Sequence, residues 1–331
     1  MKFTSLFTFL LGCSAIANAA DSTRVLFIGN SFTGNNDMPG IFQKICKAKN
    51  KVVYVEKSWK GGASLKDQTM RPELFSAIQK GNWNFVVIQG WSKEFVQNKE
   101  YIDTVTVPYA TTIIDSIKTY NPCAQILFYE TWGYHDGCEM DSVKLSYEQM
   151  SDTIINGYAY MKSMYGFPVV PVGRTWKAFR QKYPDINLYD TDLYHPSKLG
   201  SYLSACTFFT CIFHESAEGA VTKTIDYENG LKIQKHCAST LLPELDNLGF
   251  IYNYTSIVPR TDANGKHTLQ AKAFYPPDAV ISWDLGNGKI VKGNTLEYVF
   301  PKAGKYVIKL IVKKACGQQT SSYVVSFKAK K

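Results

Sequence analysis

Two short segments, far apart in the chain, carry residue types that can do nucleophilic chemistry together. One is Gly29-Asn30-Ser31, within Phe27-Ile28-Gly29-Asn30-Ser31-Phe32-Thr33-Gly34, and the other is Asp192-Leu193-Tyr194-His195-Pro196. A serine hydroxyl is a weak nucleophile until a base takes its proton. An imidazole can take it once a carboxylate fixes the tautomer through the other ring nitrogen, and an acid three residues before a histidine on a turn has the reach to do so. The pair therefore reads as nucleophile Ser31, general base His195 and orienting acid Asp192. Each segment alone has a plainer use. Asn30 and Ser31 can form a turn or a helix N-cap, and Asp192 to Pro196 can be a loop entering a helix with Pro196 at its first position. The two together, in this order, favour the chemistry.

The elements that must position these residues are legible as periodic runs. Val25 to Ile28, Val52 to Val55, Phe85 to Ile88, Ile126 to Tyr129 and Val169-Val170 are short β-branched and aromatic stretches, the pattern of strands buried on both faces. Between them lie helical patterns at Met38 to Lys49, Pro72 to Lys80, Val107 to Tyr120, Ser142 to Met164 and Lys198 to His214, with a last helix over Asp226 to Leu248. Alternation of this kind predicts a parallel α/β sheet covered by helices on both sides. Ser31 then falls on the turn after the first strand, at the carboxyl edge of the sheet where ligands bind in open α/β folds.

Gly29-Asn30-Ser31 resembles the first conserved block of the SGNH (GDSL-like) hydrolases, and Asp192 to Pro196 resembles their last block. The resemblance covers about Thr23 to Leu248 and implies a flavodoxin-like three-layer α/β/α sandwich. It also implies acyl-ester hydrolysis through an acyl-serine, without a cofactor. The oxyanion hole of that family uses the nucleophile's own N–H, a glycine after the second strand and an asparagine after the third. Lys60-Gly61-Gly62-Ala63-Ser64 supplies Gly62 as the matching glycine, with Gly61 as the fallback, because a glycine lets its N–H approach a tetrahedral oxygen closely. The third block departs from the pattern: Gln89-Gly90-Trp91-Ser92 holds no asparagine, and Gln89 is the expected substitute donor, its amide having a longer reach. Trp91, Trp132 and Tyr134 sit in loops at the same edge and are candidates for stacking on a sugar ring, against the plainer alternative of packing. Glu130 and His135 offer two metal-ligand types without a third partner, so no metal is expected.

Beyond Tyr252 the pattern becomes all-β, with runs at Thr268 to Phe274, Val280 to Leu285, Thr295 to Phe300, Lys305 to Val312 and Ser321 to Phe327. Trp283-Asp284-Leu285-Gly286-Asn287-Gly288 and the later Tyr298 to Tyr306 resemble the signature of PKD-type Ig-like domains, which implies a small β-sandwich acting as a spacer or contact module. The expected organisation is a signal peptide over 1–20, a hydrolase domain over 21–250 and an Ig-like domain over 254–331, sizes within the domain norm.

The start of the chain has a basic residue, the apolar run Phe3 to Leu11 and Ala17-Asn18-Ala19, the layout of a secretory signal. Export to the periplasm, the cell surface or the medium is the expectation, with lipidation at Cys13 as an alternative processing. No later run reaches the roughly 18 apolar residues of a membrane span. The eight cysteines match no zinc spacing, and Cys123 with Cys138, flanking one predicted strand, is a possible disulfide. The formal charge of +9 comes from lysines spread along the whole chain, which describes a solvated surface rather than a nucleic-acid footprint. The expected partner is a small-molecule or polysaccharide ester.

Overall fold

The computed structural model describes residues 22–140, 143–220, 225–250, 254–262, 264, 266–274, 279–314 and 317–327. The expected signal segment, Cys13 included, lies outside them. Strands β1 (Thr23–Gly29), β2 (Val53–Trp59), β3 (Phe85–Ile88) and β4 (Gln125–Tyr129) are followed by a hairpin of β5 (Cys138–Met140) and β6 (Val143–Leu145), and then by β7 (Val169–Val170). Five of these form one parallel sheet in the order β2-β1-β3-β4-β7. This is the flavodoxin-like order. The chain builds outward one way from β1 to β2 and then the other way from β3, so the reversal lies beside the end of β1.

Side-chain alternation divides the strands between two cores. Val25 and Phe27 of β1, Val87 of β3, and Leu127 and Tyr129 of β4 pack on the side covered by helices Met38–Ala48, Val172–Lys182, Lys198–Phe213 and Tyr227–Leu241. Leu26 and Ile28, Val86 and Ile88, and Ile126 and Phe128 pack on the other side, under helices Pro72–Gln79, Val107–Tyr120 and Tyr147–Tyr165. A strand shifted by one residue would exchange the two sets, which pins the register.

The C-terminal unit holds β8 (Tyr254–Thr261), β9 (His267–Phe274), β10 (Val280–Asp284), β11 (Ile290–Lys292), β12 (Thr295–Phe300), β13 (Gly304–Lys314) and β14 (Gly317–Phe327). They form antiparallel sheets β11-β10-β13-β14 and β12-β9-β8. Trp283 is fully buried between them with Leu285, Ile308 and Leu310, and its indole N–H donates to the Gly293 carbonyl at 3.0 Å. This is an all-β sandwich beside the α/β unit.

Three elements differ from the sequence expectation. The helix expected from Ser142 starts at Tyr147, because β6 takes Val143–Leu145 and Ser146 closes a capping box with Gln149, which satisfies the first free N–H groups of the helix. The last helical stretch is broken at Leu241, where Pro243 interrupts the hydrogen-bond ladder, and goes on as a 3-10 turn at Leu242–Glu244 and a short helix at Leu245–Leu248. Helix Val172–Lys182 was not expected; it follows a strand of two residues and shows a mostly polar face. No helix among the described residues is long and apolar enough to cross a membrane.

Candidate active site

The turn after β1 is shaped by contacts that only glycine permits. A Cβ on Gly29 would sit 2.3 Å from the Thr33 hydroxyl oxygen and 2.4 Å from Gln89 Oε1. Asn30, in extended conformation, caps the short helix Ser31–Gly34 by accepting the Phe32 N–H at 3.0 Å. Its Nδ2 donates to the Ala63 carbonyl at 3.2 Å and so ties this turn to the Gly61-Gly62 loop. Ser31 is thereby held half-buried at the carboxyl edge of β1, with its Oγ 2.8 Å from His195 Nε2.

His195 is fixed by the turn that carries it. Asp192 Oδ2 lies 2.5 Å from His195 Nδ1, while Oδ1 accepts the Tyr194 and His195 N–H groups at 3.1 and 2.9 Å. Leu193, at φ 65°, takes the left-handed conformation that bends the segment back on itself. Burial raises the Asp192 carboxyl, but the imidazole and the two N–H donors outweigh it and hold the group below the usual carboxylate range. On the Ser31 side, Asn36 donates to the Pro196 carbonyl at 2.9 Å and to the Ser201 hydroxyl at 3.0 Å, bridging the two turns. The structure thus brings Ser31, His195 and Asp192 into one hydrogen-bonded row.

Ser31 and Gly62 line an open cavity of about 570 Å³ together with His195. Their backbone N–H groups make no hydrogen bond to a described residue, and Gly62 holds φ 67°, a conformation in which a side chain is strained. Two donors are therefore available to an oxygen in the cavity. Gln89 is not a third. It is fully buried, and both protons of its amide are engaged, by Asn30 Oδ1 at 2.9 Å and the Gly90 carbonyl at 2.6 Å. Its Oε1 accepts the Asn30 N–H at 2.9 Å and the Thr33 hydroxyl at 2.8 Å. The expectation of a Gln89 oxyanion donor is corrected: the extra methylene carries the amide under the nucleophile turn, where it locks that turn from below.

Trp91 and Tyr134 line the cavity as expected positions for substrate contact. Trp132 does not. It is fully buried, stacked on Phe32 at 4.5 Å and on Trp176 at 4.1 Å, so both faces of the indole are taken and no sugar can stack there. Its N–H donates to the Tyr194 carbonyl at 3.1 Å, and Phe32 meets the His195 ring edge-on at 5.7 Å. Trp132 supports the histidine turn instead. Glu130 is buried against Arg174, with Nε to Oε2 at 3.0 Å, whereas His135 pairs with Asp136. Cys123 and Cys138 are free thiols, the first exposed ahead of β4 and the second at the start of β5.

Sequence reasoning missed several contributors. Phe32 and Tyr194 line the cavity, as does Lys93. Glu94 lies buried beneath, accepting the Leu65 N–H at 3.2 Å and the Trp91 N–H at 2.7 Å, which joins the loops after β2 and β3. Burial pushes its carboxyl up to about 7. The available signal was Trp91-Ser92-Lys93-Glu94, an acid three residues into a helical turn.

A domain of unknown function, DUF4886, matches residues 14–226, which is most of the α/β unit. The chain belongs to the DUF4886 family. A PKD domain matches residues 256–328 in the β-sandwich. A DUF4886 family protein from Bacteroides uniformis ATCC 8492 shares the fold at 17% identity, with a TM-score of 0.58 over 67% of this chain and 95% of that one. A candidate SGNH hydrolase from Slackia heliotrinireducens is 26% identical, covering 57% of this chain and 98% of that chain with a TM-score of 0.47. An acetyl xylan esterase, AlAXEase, is 15% identical over 57% of this chain and 99% of that chain, with a TM-score of 0.44. No curated protein matches the sequence.

Proposed function

We propose that this DUF4886 member is an exported serine esterase that removes small acyl groups, acetyl foremost, from carbohydrate. The single observation that carries the reading is the row Ser31 Oγ, His195 Nε2, His195 Nδ1, Asp192 Oδ2, with separations of 2.8 and 2.5 Å at its two hydrogen bonds. In this reading Ser31 attacks the ester carbonyl as His195 takes its proton, and Asp192 stabilises the imidazolium that forms. The Ser31 and Gly62 N–H groups hold the developing oxyanion. His195 then protonates the leaving alcohol, the acyl-serine forms, and water activated by the same imidazole releases the acid. Support for a sugar comes from Trp91, Tyr134 and Tyr194 around the nucleophile, since flat aromatic surfaces suit the apolar face of a pyranose. The leader-like start of the chain and the appended β-sandwich suit work outside the cytoplasm on a polymer. We propose unit boundaries at 21–250 and 254–331.

Burial of Gln89 gives weight to a second reading, a glycan-binding protein on an esterase scaffold, because the hole keeps two donors and losing one donor can cost about 100-fold or more in turnover. Hydrolysis of p-nitrophenyl acetate separates the two. The esterase turns it over, loses that activity in Ser31→Ala and is labelled at Ser31 by a serine-directed phosphonate. A well-folded wild type without burst, turnover or labelling would overturn the esterase assignment.

A further inference from the structure

The cavity around Ser31 has a charge asymmetry that ester hydrolysis does not require. Among the described residues, Lys93 is the one lysine or arginine lining it, and no aspartate or glutamate lines it. Five lysines of this unit hold carboxylates, Lys51 with Glu215, Lys57 with Asp37, Lys80 with Glu56, Lys99 with Asp103 and Lys177 with Asp152, whereas others such as Lys60 and Lys66 form no ion pair with a described residue. Lys93 has no ion-pair partner among the described residues. Two acids of the site, Asp192 and Glu94, are already engaged. Asp192 is committed to His195 and to two backbone N–H groups, and Glu94 faces inward to the Leu65 and Trp91 N–H groups.

The position of Lys93 also has a geometric logic. Its ammonium stands 5.9 Å from the centre of the Trp91 ring, at the outer limit of a cation–π contact, so that contact engages it weakly. The chain between the two residues is pinned from below, because Glu94 holds the Trp91 N–H at 2.7 Å and Trp91 to Glu94 form one short turn. An aromatic platform and a free cation are therefore presented together, on the wall of the cavity that holds the nucleophile. A pyranose resting on Trp91 with its ester toward Ser31 would offer its substituents to Lys93.

On the esterase reading above, we propose that Lys93 is a specificity determinant that selects acyl esters of anionic sugars, in which a carboxylate or sulfate on the ring meets the ammonium. An ion pair at a half-exposed site supports a preference of about 1.5- to 5-fold over the neutral sugar. The preference should shrink as salt is added, since exposed charges are screened over about 8 Å at physiological ionic strength.

The test compares mono-acetylated methyl glycosides of glucose, glucuronic acid and glucose 6-sulfate on the full chain, reading the kcat/KM ratio of each anionic sugar to the neutral one. The wild type should favour the anions, Lys93→Gln should bring the ratio to one, Lys93→Arg should keep it above one and Lys93→Glu should invert it. Preference for the uronate alone, or the sulfate alone, identifies which anion the site takes. A wild-type ratio of one, or a ratio that persists in Lys93→Gln, overturns the proposal. A second arm works without catalysis: titration calorimetry of methyl glucuronide and methyl glucoside into wild type and Lys93→Gln. Should no acetyl ester turn over, the esterase reading fails on its own. A Lys93-dependent uronide affinity would then still support anion selection at this cavity, and equal affinities would end it.

Discussion

Truncating Gln89 tests whether that residue serves chemistry or architecture. Gln89→Ala removes four hydrogen bonds of 2.6 to 2.9 Å, two donated by the amide and two accepted by Oε1. Asn30 Oδ1 keeps the Phe32 N–H, so the groups left bare are the Asn30 N–H, the Thr33 hydroxyl and the Gly90 carbonyl. At about 1–3 kcal/mol for each buried orphan, and with the Thr33 hydroxyl free to rotate toward another partner, the two that remain cost about 2–6 kcal/mol. That is a large part of the 5–15 kcal/mol typical of a domain. Urea unfolding followed by tryptophan fluorescence should show the midpoint falling, with Gln89→Glu similarly destabilised at neutral pH because a carboxylate cannot donate to Asn30 Oδ1. Acid should partly restore Gln89→Glu, since a protonated carboxyl regains one donor. A Gln89→Ala protein within about 1 kcal/mol of wild type, but with kcat reduced about 100-fold at constant KM, would refute this reasoning and return Gln89 to the oxyanion hole.

Asp192→Asn should lower kcat by about 10³- to 10⁴-fold at neutral pH, because an amide facing Nδ1 favours the tautomer with its proton on Nε2, where Ser31 needs an acceptor; stopped-flow hydrolysis of p-nitrophenyl acetate reads it. Gly62→Ala should lose about 1 kcal/mol of stability to its φ of 67°, with a larger fall in kcat than in KM if this loop carries an oxyanion donor. Glu94, raised from 4.5 to about 7, keeps a proton in the folded state that the unfolded chain releases, so its contribution to stability falls as pH rises from 4.5 to 7. Buried His236, lowered by burial, acts oppositely below 6.5. The difference between wild type and Glu94→Gln in urea midpoints across pH 4 to 8 isolates Glu94, and parallel curves would show that it does not titrate there. Limited proteolysis should cut between Phe250 and Pro259, with Pro259 itself inside β8, and release the two proposed units; a chain that resists cleavage until it unfolds as one would argue against separate units.

The parallel sheet was legible because Val25 to Ile28 and Phe85 to Ile88 are apolar on both faces, which only a doubly covered strand allows. The hydrogen-bonded row of Ser31, His195 and Asp192 was legible because Asp192 and His195 share one turn and Ser31 sits where β1 ends. Gln89 and Trp132 were misread for one shared reason. Their neighbours in sequence suggested an exposed loop, while their partners, Asn30 and Thr33 for one and Phe32 and Trp176 for the other, are 44 to 100 residues away. Which face of a loop turns inward is decided by such distant partners.

The aromatic pile under His195 gives the molecule an optical reporter. Trp132 and Trp176 lie within 5° of parallel, locked in the asymmetric packing that produces near-ultraviolet circular dichroism. Because the Trp132 indole also grips the Tyr194 carbonyl, that signal follows the histidine-bearing turn rather than the bulk of the helices. A variant or an inhibitor that loosens the turn should weaken the near-ultraviolet band while the far-ultraviolet spectrum stands, reporting the readiness of the site without any substrate in the cuvette.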